Sequence, residues 1–204
     1  EYENFNADNP VVIFHGRSVH TGSAKGKMKN ALAMAAEWQQ ALPAEEKPEY
    51  TEGYEGFFHV YKITGDVETC RMHMLVRDHD QKRFGERKAF LDRLADFLNE
   101  KYGIGSVELE HHDVYYNMAE KIRDGHMAVV DLAREAMEAV GVTPVVEPIR
   151  GGTDGAQLSW RGLPCPNLFT GGANFHGRFE YLPIPSLVKA CETVVEIGKR
   201  GYRI

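Results

Sequence analysis

Apolar residues in the first half of the chain follow two alternating rhythms. The run Val11-Val12-Ile13-Phe14 predicts a strand within residues 9–19. Leu32, Ala35, Ala36 and Trp38 recur at helical spacing and predict a helix over residues 25–42, stopped by Pro43. Residues 43–56, rich in Glu with two Pro and two Gly, predict a solvated loop. Two strands follow over 57–63 and 70–76, joined by a turn at Gly65-Asp66. Phe84, Leu91, Leu94, Ala95, Leu98 and Tyr102 then mark a long amphipathic helix over 81–101, ended by Gly103 and Gly105. A strand over 107–114 sets Val107 and Leu109 against Glu108 and Glu110. The order β-α-β-β-α-β is the split βαβ, ferredoxin-like arrangement.

After Asn117 the texture changes. Val129, Val130, Leu132, Ala133, Met137 and Val140 predict a helix over 126–140. Val145-Val146 reads as a short strand, and residues 163–172 as an apolar strand flanked by prolines and closed by glycines. The chain ends in a helix opened by Ser186, with Leu187, Val188, Cys191, Val194 and Val195 expected inward. This half alternates α and β but supplies too few strands for a covered parallel sheet, so it reads as part of an α/β domain.

The 204 residues are 43% hydrophobic and 26% charged, ordinary for a globular chain. With 24 basic and 30 acidic side chains, a net charge of -6 argues against nucleic acid or an anionic membrane as a partner. Cys70, Cys165 and Cys191 are widely spaced without CxxC and are expected to be buried thiols of a reducing cytoplasm. No stretch approaches the roughly 18 apolar residues that span a bilayer, and no leader opens the chain, so a soluble cytoplasmic protein is expected. Glu1 in place of Met suggests a piece excised from a longer protein.

Four places carry candidate chemistry. The loop Arg150-Gly151-Gly152-Thr153-Asp154-Gly155-Ala156 can bring backbone N–H groups close to a ligand, or serve as a plain turn; it is neither a P-loop nor a dinucleotide fingerprint. In GGANFHGRFE (residues 171–180), glycines crowd His176, which reads as a solvated imidazole or a metal ligand. His20 lies between a strand and an expected helix N-terminus, a place suited to an anion, although a loop His without chemistry fits equally. Arg77 ends an inward-pointing strand and can clamp a ligand carboxylate or pair with Asp78. The adjacent pair His111-His112 is set aside as a metal site, because neighbours on a strand face opposite sides. With HExxH and CxxC also absent, the sequence shows no complete metal site.

The segments YENFNA (2–7), TEGYEGF (51–57), YYNM (115–118), PIRGGTDGAQLS (148–159) and LPCPNLFTGG (163–172) together resemble the peptidase T family. These are bacterial tripeptide aminopeptidases within the co-catalytic zinc peptidases and deacylases, which also include carboxypeptidase G and carnosinase. The resemblance runs from end to end of the chain. It implies a ferredoxin-like lid used for dimerisation, over residues 6–114. Residues 1–5 and 115–204 would be the C-terminal portion of a two-zinc α/β catalytic domain.

The resemblance also assigns roles. His176 would be the last zinc ligand along the chain. His20 would steady the oxyanion in the neighbouring subunit's active site, and Arg77 would bind the substrate carboxylate. Gly151, Gly152, Thr153 and Asn174 would line the substrate. The remaining ligands and the general base of the family, an HxD motif, a bridging Asp, a Glu-Glu pair and a further Asp, have no match here. The chain is therefore expected to need the upstream half of the same enzyme to bind two zinc ions, and to be inactive alone. Two other readings stay open: a free-standing dimerisation or binding module, and a related dipeptidase or deacylase.

Overall fold

The computed structural model describes residues 1–201. The chain divides into two compact units, residues 5–117 and residues 1–4 with 118–201.

The first unit is a sheet covered by two helices. Its strands are β1 (Asn6–Asp8), β2 (Val11–His15), β3 (Phe57–Gly65), β4 (Thr69–Asp78), β5 (Val107–Glu110) and β6 (Asp113–Tyr115). Strand β4 is central and antiparallel throughout. It pairs with β3 on one side, and on the other with β2 (Val12 opposite Met72) and β1 (Ala7 opposite Arg77). Strands β5 and β6 extend the same edge by pairing with β2 and β1. Read as β5/β6, β2/β1, β4, β3, this is the strand order of the split βαβ fold. The alternation along β4 explains the layering: Cys70, Met72, Met74 and Val76 are buried, while Arg71, His73 and Leu75 take the other face.

Helices α1 (Ala31–Ala41) and α2 (Gln81–Tyr102) close the core over those residues. Trp38 stands edge-on to Phe14, with centroids 6.0 Å apart, and its indole N–H reaches the Met74 sulfur at 3.3 Å. Helix α2 buries Phe84, Leu91, Leu94, Ala95 and Leu98, as its spacing predicts. Asp80 caps it by accepting from Arg83 N at 2.8 Å, and Gly103, at φ +104°, ends it.

Several elements depart from the sequence reading. Helix α1 starts at Ala31 rather than near residue 25, because Arg17 and Lys29 form an antiparallel bridge that needs extended backbone at Lys29. Asn30 then caps the helix through Leu32 N and Ala33 N. Within α1 the buried face is Ala31, Met34, Ala35 and Trp38; Leu32 and Ala36 are exposed. The expected strand over 107–114 is broken at His111-His112, as the first strand is at Asn9-Pro10, where proline offers no N–H to the ladder.

The second unit holds helices α3 (Ala119–Arg123), α4 (Ala128–Ala139), α5 (Asp154–Trp160) and α6 (Ile184–Gly201). Met118, Ile122, Val130 and Ala156 form its small core, with Tyr2 and Ile149 packed against it. The strands expected at 145–146 and 163–172 do not form. Isolated bonds join this region to residues 1–4: Ile149 N donates to Glu3 O at 2.8 Å, and Asn167 N donates to Glu1 O at 2.8 Å.

Helix α6 overturns a further expectation. Leu187, Val188, Val194 and Val195 are 45–57% exposed and Cys191 is exposed; among its described residues Thr193 alone is buried. The apolar face exists, but the described residues of this unit leave it exposed. All three cysteines are unpaired and Cys70 is buried, as expected of free thiols, but Cys165 is half-buried and Cys191 exposed. Among the described residues no helix is long and apolar enough to cross a membrane.

Candidate functional site

The loop around His176 holds the two non-glycine residues with positive φ among the described residues. An antiparallel bridge between Ala173 and Tyr181, with N–O distances of 2.9 and 3.2 Å, closes its base. Inside the loop Asn174 (φ 57°) and His176 (φ 62°) both adopt the left-handed conformation, which costs a non-glycine residue about 1–2 kcal/mol. Local bonds hold them there. Asn174 Nδ2 donates to Phe179 O at 3.2 Å, Gly177 N to Asn174 O at 2.9 Å, and His176 N to Glu180 Oε2 at 2.9 Å. His176 is exposed, so the loop spends backbone strain on presenting an imidazole outward.

The glycine-rich loop leads directly into a helix that the sequence reading missed. Thr153 caps α5, its Oγ1 accepting from Ala156 N at 3.2 Å. Gly155 is required by packing, since a Cβ there would sit 2.3 Å from Cys165 O. At Gly151 a Cβ would meet nothing within 4 Å, so open space lies beside the backbone at that point. Gly152 is exposed and Thr153 half-buried.

In the sheet unit, His20 does not sit at the start of α1. It caps a short turn, Thr21–Ser23, with its Nδ1 accepting from Gly22 N at 3.1 Å. That bond leaves the proton of the neutral ring on Nε2, and the side chain is exposed.

Arg77 is buried near the end of β4. Its Nη1 donates to Asp8 O and Val76 O, each at 2.9 Å, and its Nη2 to Asn9 Oδ1 at 3.0 Å. The guanidinium carbon lies 5.6 Å from the Tyr115 ring centroid. Asp78 is not its partner; that carboxylate accepts from Arg87 Nε at 2.8 Å.

Behind Arg77 stands a group absent from the sequence reading. The carboxylate of Asp8, fully buried, accepts from His112 N at 2.6 Å and contacts His111 Nδ1. His111 Nε2 lies 3.2 Å from Asp92 on α2. The hydrogen bond to Asp8 lifts the imidazole above its ordinary 6.5; burial opposes this, and Asp92 adds to the rise. The strand-alternation argument does not apply to this pair, because both residues lie where the edge strand breaks. His112 instead faces Glu110 at 3.6 Å. No local pattern signals the clamp, since residues 8, 92 and 111 meet only through folding.

Among the described residues no three His, Cys, Asp or Glu side chains converge in a metal-binding group. A catalytic zinc takes three protein ligands, so these residues alone do not fit one.

Residues 2–106 match the M20 peptidase dimerisation domain. The chain belongs to this family. Among curated relatives of this M20 chain, Peptidase T of Caldanaerobacter subterraneus is 52% identical over 205 residues, covering 98% of the chain and 50% of the relative. Peptidase T of Clostridium novyi is 53% identical over 197 residues, covering 97% and 48%. The chain thus spans about half the length of the curated relatives it matches.

Solved structures share the M20 fold. A tripeptidase from Staphylococcus aureus superposes with a TM-score of 0.83 at 20% identity, over 100% of this chain and 53% of that one. Aminopeptidase PepT from Bacillus cereus gives 0.77 at 22% identity, over 96% and 52%. A dinuclear metal-binding M20 peptidase from Bacillus subtilis gives 0.66 at 15% identity, over 95% and 49%.

Proposed function

We propose that this chain is the C-terminal half of a cytoplasmic, zinc-dependent tripeptide aminopeptidase of the peptidase T kind. It would release the N-terminal residue of tripeptides as a homodimer joined through residues 6–114. The observation that carries the reading is identity of about 52% to Peptidase T proteins across nearly the whole chain. A lid-only module would have no use for the strained His176 loop or the capped Gly-rich loop, and the chain retains both.

The proposed roles of His176 and His20 suit their exposure. His176, outward on a strained loop, contributes one ligand to a two-zinc site, whose other ligands lie in the upstream half of the enzyme. His20, with its Nε2 proton directed away from its capping bond, donates to the oxyanion in the partner subunit's site. Arg77 meets the substrate carboxylate. Gly151, Gly152, Thr153 and Asn174 line the peptide.

The test uses the full-length enzyme that contains this chain. His176→Ala should lower both bound zinc and kcat/KM for tripeptides by more than about a hundredfold. Metal analysis showing a full complement of zinc in that variant would remove the ligand assignment. A panel of di-, tri- and tetrapeptides reads the substrate class. The 204-residue chain alone should leave all of them intact, and peptide cleavage by it would overturn the division of ligands.

A further inference from the structure

We infer that Asp8 and His111 are positioning residues for Arg77, holding its guanidinium in place through the backbone and side chain of residues 8 and 9. The inference rests on the proposed role of Arg77 in meeting the substrate carboxylate.

Two of the groups that hold Arg77 come from one short stretch, the Asp8 carbonyl and the Asn9 side chain. That stretch is regularly paired on one side only, where Asp8 stands opposite Val76 on β4. The β1–β6 ladder shifts register between Ala7 and Asp8, and both strand pairs of this edge are interrupted nearby. The β4 ladder, which pairs Asp8 with Val76, holds the Asp8 carbonyl, but Asn9 lies outside both β1 and β2. The Asp8 carboxylate fixes the turn that carries Asn9. It ties residue 8 to His112 N and to the His111 ring, and Asn9 N donates back to His112 O at 2.9 Å. The outer nitrogen of His111 is tied to Asp92 on α2, so the clamp is anchored to the long helix of the unit.

The charged groups around His111 are Asp8 on β1, Asp92 on α2, and Asp113 on β6, whose carboxylate is held by Lys88 and Tyr116. A protonated His111 donates to Asp8 and Asp92 together. The neutral ring has one N–H to share between them, so loss of the proton loosens one end of the clamp.

The experiment compares tripeptides with the same tripeptides amidated at the C-terminus, which lack the carboxylate, using the full-length enzyme. In the wild type the free acid should be preferred. Arg77→Gln should abolish that preference. His111→Gln should reduce it about tenfold through KM for the acid, leaving kcat/KM for the amide unchanged. The double variant should be no worse than Arg77→Gln. If Arg77→Gln keeps the preference, the carboxylate role falls and this inference with it. If Arg77→Gln loses the preference while His111→Gln retains it within about twofold, the clamp alone is overturned.

A second readout needs no variant and covers a His111→Gln protein that fails to fold. The acid-to-amide preference of the wild type should fall as pH rises through the value at which nitrogen NMR shows His111 losing its proton. A preference that stays flat across that titration overturns the inference.

Discussion

At His111 one imidazole meets carboxylates from two elements, Asp8 on β1 and Asp92 on α2. Its affinity for a proton is therefore higher folded than unfolded. A folded value above 6.5 means that the stabilisation is complete below pH 6.5 and is lost as pH rises through the raised value. The urea midpoint of the chain should therefore decline over that window and level off above it. In His111→Gln the same window should be flat, and an undiminished slope in that variant would assign the dependence to another group. The sequence offered no hint of this clamp. His111 was legible as a titratable residue, but its partners are 103 and 19 residues away along the chain.

The elements of the sheet unit follow from local chemistry where burial and periodicity agree. Helix α2 has a buried stripe, an Asp80 cap and a Gly103 stop, all readable in one dimension. Helix α1 was misread at its start because Lys29 is recruited into a bridge with Arg17, and Asn30 became the true cap. The Asn30 side chain serves two N–H groups of the first turn, so Asn30→Ala should destabilise the chain by about 1 kcal/mol in urea unfolding. An unchanged midpoint would show that water serves those groups equally well. In the other half, α5 escaped the sequence reading because its first turn is written in the same Thr-Asp-Gly residues that suggest a loop.

For the molecule as a whole, the apolar face of α6 is the largest departure from expectation. Together with Val140 it lines a groove through Leu187, Val188, Cys191 and Val195. Exposed apolar surface of this kind favours association. The 204-residue chain should show concentration-dependent mass in light scattering, and Val188→Glu with Val195→Glu should reduce it. A mass independent of concentration in the unaltered chain would rule this out. The same face explains why an amphipathic helix was legible while its burial was not: periodicity records which side is apolar, not whether anything lies against it.

By itself the amino-acid sequence determined the split βαβ order of the first unit, most of its core, and membership of the peptidase family, because each is encoded in local spacing or in contiguous motifs. It also marked His176, Arg77 and the glycine-rich loop as residues of interest. Tertiary structure alone decided what surrounds them: the left-handed backbone under His176, the carbonyls on Arg77, and the Asp8–His111 clamp behind it. Those depend on contacts between distant residues and on places where a ladder breaks, and neither leaves a period in the chain.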